Sequence, residues 1–191
     1  MSSTNAPFGL RPAYHPSGLD RATALADGIA SGYSTAILKG QPVKMDTSGT
    51  IVVAAAGDAF MGAFSGVEWT DTTGRRRVSN YWPASTAYQT GSCIAYFYQD
   101  PNIVYEIQAA GSLAQTSIGD EADLSNTTAG STTTGLSAAT LSTTLAGSGN
   151  SAQMRIINLA PYPDNAWGDS YTIVRATIAE YQFAGAAGTA I

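Results

Sequence analysis

The sequence predicts a mainly β protein: a small antiparallel β-barrel or jelly-roll-like β-sandwich with an extended N-terminal arm and a long Ser/Thr/Gly-rich loop. Three observations carry this. Short runs rich in Val, Ile, Tyr and Phe recur from Ile37 to Phe183. Clusters of Gly, Pro, Asn and Asp separate them, the pattern of many short strands joined by turns. No apolar run approaches the roughly 20 residues that a membrane helix needs. At 191 residues the chain suits one domain that buries a core without staples, and its single cysteine, Cys93, admits no intrachain disulfide.

Residues 1–34 are broken by Pro7, Gly9, Pro12, Pro16, Gly18, Gly28 and Gly32. They read as an extended arm with apolar anchors at Phe8, Leu10 and Tyr14. Leu25 and Ile29 fall four apart, which predicts a short helix over Asp20–Ala30. The β-rich body runs over 35–183. Ala36–Met45 is a strand interrupted near Gly40 and Pro42, and Asp46-Thr47-Ser48-Gly49 turns it into a second strand, Thr50–Ala55. Ala59–Trp69 follows, with Gly62 and Gly66 marking close backbone approach or bulges. Asp71-Thr72-Thr73-Gly74 turns into Arg75–Tyr81.

Cys93–Tyr98 and Ile103–Gln108 flank Gln99-Asp100-Pro101-Asn102, a turn with Pro in its favoured place. Ile103, Tyr105 and Ile107 share one face of a strand expected to be half-buried. Residues 125–153 are low in complexity and predict a loop or mobile hairpin with little to bury. Met154–Leu159 and Tyr171–Phe183 are the last strands. The apolar phase of the second slips after Ile178, which predicts a β-bulge near Ala179 or Glu180. Residues 184–191 form a small-residue tail.

Composition narrows the function. Charged residues are 12% of the chain, against about 25% in an ordinary soluble domain. Such a surface suits a protein covered by neighbours. The net charge of −5 argues against nucleic-acid binding, which needs clustered Lys and Arg. The one basic cluster, Arg75-Arg76-Arg77, reads as a subunit contact or as a solvated turn. The start Met1-Ser2-Ser3-Thr4 lacks the basic and apolar stretches of a signal peptide, so cytoplasmic synthesis is expected, with no membrane partner.

Catalytic chemistry is not predicted. The only histidine, His15, lies in the arm, and no nucleophile elbow, P-loop or dinucleotide glycine pattern occurs. Asp120, Glu121 and Asp123, and Asp164 with Asp169, are read first as turn residues, with cation binding the alternative. Neither group has the spacing of a calcium loop. No catalytic residue, cofactor or metal is therefore assigned. Trp69, Tyr81, Trp82 and Tyr88 leave open a sugar-stacking module, although core packing is their ordinary use.

Asn5-Ala6-Pro7-Phe8-Gly9-Leu10-Arg11-Pro12 resembles the start of tailed-phage head decoration (capsid cement) proteins. The resemblance continues through Val53–Asp58, Gly62–Val67, Tyr98–Gln108 and Pro163–Asp169, over most of the chain. The stretch between Pro12 and Ile37 is short for that pattern. The resemblance implies a virion protein, made in the bacterial cytoplasm, that sits on the outer surface of a capsid. Its implied partners are the major capsid protein and further copies of itself, as a trimer or alternatively a dimer. Pro7, Phe8, Leu10, Arg11, Pro12 and Tyr14 are the expected capsid-binding residues.

Overall fold

The computed structural model describes residues 2–18, 21–147 and 149–184. The first half of the chain carries β1 (Arg11–Tyr14), β2 (Ala22–Ala26), β3 (Pro42–Met45), β4 (Ile51–Val53), β5 (Gly62–Thr70), β6 (Arg76–Ser79) and β7 (Ile94–Tyr98). The second carries β8 (Val104–Gln108), β9 (Glu121–Ser125), β10 (Gly130–Ser131), β11 (Leu136–Ser137), β12 (Thr140–Leu145), β13 (Met154–Leu159) and β14 (Ile173–Ile178). No helix among the described residues is long and apolar enough to cross a membrane.

Two antiparallel six-stranded sheets result. One runs β1-β8-β14-β13-β9-β12; the other runs β2-β7-β5-β3-β4, with β6 also on β5. Neither strand ladder closes into a barrel and the arrangement is sandwich-like, although Leu141 of the end strand β12 accepts the Ala110 amide just beyond β8 at 2.8 Å. The second sheet nevertheless curls, because the Ile51 amide donates to the Gly28 carbonyl just beyond β2 at 2.7 Å. Inside the curl lies one core, with Trp82, Phe64, Phe97, Ile29 and Val43. The other core holds Ile103, Tyr105 and Ile107 of the first sheet against Phe60 and Ala63. Gln153 ties the layers together: its buried side-chain amide donates to the Ala55 and Asp58 carbonyls and accepts from the Leu124 amide.

Several local readings hold. Val43 pairs with Val53 across the β3–β4 hairpin, and the Asp46 carboxylate accepts the Ser48 and Thr50 amides in its turn. A Cβ at Gly62 would overlap the Tyr98 carbonyl, which accounts for the glycine. The register of β5 on β7 shifts between Phe64 and Gly66. The amides of Ala179 and Glu180 both point at the Gln153 carbonyl, the two-against-one pairing of a bulge.

Four expectations are corrected. First, over the described residues 21–30 the helix expected at Asp20–Ala30 is absent; Ala22–Ala26 is an edge strand, because the exposed side of β7 offers it a five-residue ladder of backbone partners. Second, residues 1–34 are no separate arm. β1 pairs with β8, β2 pairs with β7, and Leu10 is 1% exposed within the first core. Third, of the loop or mobile hairpin expected over 125–153 the hairpin is found as β10 with β11, but the segment has more to bury than expected, since β12 is an ordered strand on β9 whose Leu141 is fully buried. Fourth, β8 is buried on both faces, since Glu106 and Gln108 lie beneath the N-terminal segment. The tail expected at 184–191 lies, beyond Ala184, outside the described residues.

Cys93 opens β7 from inside the second core, where burial pushes its thiol up to about 11. A thiol reagent at pH 8 should therefore leave native protein unlabelled and label it fully in denaturant. Fast native labelling would place Cys93 at the surface.

Candidate functional site

The expected capsid-binding residues lie on a strap that runs across the first sheet. Tyr171 donates its amide to the Ser2 carbonyl at 2.7 Å, and the Ser2 hydroxyl bonds Asp169. Next, the Gln108 side-chain amide plays the part of a missing strand: it accepts the Ala6 amide at 3.0 Å and donates to the Thr4 carbonyl at 3.0 Å. Leu10 then donates its amide to Gly40 and drops into the core. Pro7, Phe8 and Pro12 are half-buried, while Arg11 and Tyr14 are exposed. Leu10 serves packing, so the surface of this segment comes from the other five.

Glu106 holds the centre. It is buried at 6% exposure, with Arg11 at 2.8 Å, Arg175 at 3.3 Å and the Tyr162 hydroxyl donating to it. The Arg11 guanidinium stands 4.5 Å over the Phe8 ring, and Arg175 stands 5.4 Å from the Tyr14 ring. These contacts add cation–π attraction to the ion pairs and hold Phe8 and Tyr14 in place. Burial raises the Glu106 carboxyl pKa, but hydrogen bonds from Tyr162 and Arg11, and the Arg11 charge, outweigh it and bring it below its ordinary 4.5.

The sign of the pH effect follows. A carboxyl whose pKa is lowered by folding contributes stability above its unfolded value and loses it as pH falls through the folded value. Glu106→Gln should lower stability at pH 7 and narrow its deficit against the parent as pH falls below about 4.5. Urea midpoints measured from pH 7 to pH 3 check this; a deficit that stays constant with pH would take Glu106 out of the acid response.

Two cavities flank Phe8 and Arg11. One, of about 240 Å³, is lined by Leu10, Pro12, Lys39, Gly40, Phe64, Tyr98 and Leu136 as well. The other, of about 320 Å³, is bounded by Ala6, Gln108, Tyr162, Asp164 and Ile173. Compared with family models, with curated proteins and with solved structures, the chain has no match. The structure gives a local reason for several residues of the motif at 163–169. Asn165 ties the end of β13 to the start of β14 by accepting the Ile173 amide and donating to the Ala160 and Ile173 carbonyls. Asp169 accepts the Ala166 amide and the Ser2 hydroxyl, so the 163–169 motif is where the strap begins.

The arginine triplet is mostly committed within the chain. Arg76 pairs with Glu68 at 2.9 Å and donates to the Ser92 carbonyl, and Arg77 pairs with Asp71 at 2.9 Å. The Thr73 hydroxyl first, then the Arg75 amide and Arg77, hold the Asp71 carboxyl well below the usual carboxylate range. Only the Arg75 side chain makes no ion pair among the described residues. Beside it Val78 is 78% exposed on β6, an unpaired edge.

His15 is better placed than its position in a Pro-broken segment suggested. Its Nδ1 faces the Ser17 hydroxyl at 2.6 Å and its Nε2 lies 3.1 Å from Asp100. Nδ1 also accepts the Ser17 amide, so its one lone pair is shared within a turn, and the trio fastens that turn to the β7–β8 connection. Among the described residues no three His, Cys, Asp or Glu side chains converge as metal ligands. Glu121 pairs with Arg155 at the sheet surface, and Asp123 accepts the Gln153 amide. Trp69 and Trp82 are buried and stack edge to face at 5.3 Å, so neither offers a ring to a sugar.

Proposed function

We propose that this chain is a non-enzymatic structural protein of a tailed-phage head, a decoration or cement protein that binds the outer surface of the capsid and stabilises the shell. The observation that carries the reading is the Asn5–Pro12 motif. Its Phe8 and Arg11 are held rigidly at the surface between two cavities by a network that spans the first sheet. Rigid presentation lowers the entropy lost on docking, and many copies on a lattice turn a modest single contact into firm attachment. A surface with few charges suits broad contact with neighbours.

The partners are the major capsid protein and other copies of the chain. A trimer at local three-fold positions touches several capsomers at once, and a dimer across two-fold axes is the alternative. Arg75, with the open edge of β6, is the proposed contact between copies. Purified protein should bind expanded capsids saturably, at a fixed ratio to the major capsid protein, and raise the temperature at which they burst. Binding confined to tails would favour a tail-tube or head-completion subunit, and binding on a glycan array a receptor module; either removes the decoration reading.

A further inference from the structure

The cavity of about 240 Å³ is lined by apolar side chains together with an uncommitted cation, Lys39. Leu10 and Phe64, each 1% exposed, form its base. Leu136, 47% exposed, stands at the rim. Lys39 is aligned beside Leu136 by a parallel bridge: the Lys39 amide donates to the Gly135 carbonyl, and the Ser137 amide donates to the Lys39 carbonyl. The Lys39 ammonium has no ion-pair partner among the described residues, whereas Arg11, which also lines the cavity, is already bound to Glu106. Tyr98 also lines this space.

Each feature selects for part of an occupant. A dry apolar cavity of about 150 Å³ holds a benzene-sized guest, so this one has room for a phenyl or branched aliphatic group. A polar guest would leave its own hydrogen bonds unmade against Leu10 and Phe64. The unpaired positive charge of Lys39, which lines the cavity, favours a carboxylate next to that group. From this we infer that the cavity is a docking pocket for an acidic-apolar pair, one large apolar side chain with an Asp or Glu beside it, presented by a segment of a partner protein. The pocket's chemistry stands alone. Naming the partner as the capsid protein rests on the function proposed above.

The test uses the intact protein and a blocked tetrapeptide, Ser-Asp-Phe-Ser, beside versions with Asn for Asp and with Ala for Phe. Titration followed by amide NMR should give saturable shifts around Leu136 for the first peptide. Affinity should fall about fivefold for the Asn version, the scale of one exposed ion pair, and be lost for the Ala version. Lys39→Gln should bind the Asp and Asn peptides alike, and this exposed substitution leaves the core untouched. Equal binding of the two by the parent, an unchanged preference in Lys39→Gln, or no saturable shift overturns the pocket. The Asp peptide is also added to decorated capsids. Peptide binding that leaves attachment intact keeps the pocket and removes it from the shell interface. Firm attachment by a protein that ignores every peptide keeps the decoration reading and sinks the pocket.

Discussion

Removal of residues 2–14 should leave a chain without stable native structure at 25 °C, not a folded body that has lost a tail. The deletion takes Leu10 from the first core, a loss of about 2–5 kcal/mol by itself for a buried leucine. It also strips Arg11 from Glu106, leaves both ends of the Gln108 amide without partners, and exposes the edge of β8. Together these rival the roughly 5–15 kcal/mol by which a domain is ordinarily stable. Near-ultraviolet circular dichroism and a thermal melt read the outcome. A cooperative transition within a few degrees of the parent would restore the strap to the status of an appendage.

Tyr105→Ala carries the next largest expected effect. Tyr105 is fully buried in β8 with Ile103 and Ile107 beside it, and burial pushes its hydroxyl pKa sharply upward. Truncating a core aromatic costs about 3–5 kcal/mol through lost transfer energy and the cavity left behind. Urea denaturation should show that loss with an unchanged slope. A cost below about 1 kcal/mol would mean that the two sheets close over the gap.

How far the sequence could be read depended on the range of the interactions involved. Strands such as β3, β4, β5 and β14 were legible because their alternation and turn residues are local, and so was the bulge after Ile178. β2 was misread because Leu25 and Ile29 have helical spacing while the partner that fixes them, β7, lies some seventy residues away. The same blindness turned the strap into an arm. Of its expected apolar anchors Leu10 is buried and Phe8 half-buried, whereas Tyr14 is exposed, and Gln108, Glu106, Tyr162 and Tyr171, which hold the strap down, carry no mark of that duty. β12 was hidden by its Ser and Thr content: the ladder to β9 and one buried leucine are enough to order it. At the candidate site, Phe8 and Arg11 were legible as residues, whereas Lys39 and Leu136 meet through a single bridge that no pattern announces.

The strap also sets an order on events during synthesis. Ser2 leaves the ribosome some 160 residues ahead of its partners Asp164, Asp169 and Tyr171. At a translation rate of about 5–20 residues per second, ten to thirty seconds or so separate the two ends. Over the first part of that interval β1 waits for β8 to emerge, and Ser2 waits longer still. The strap, made before every strand that holds it, is thus among the last segments to be fastened. Ribosome-bound chains that stop short of residue 160 should be cut by protease within 8–14, and released full-length chains should not.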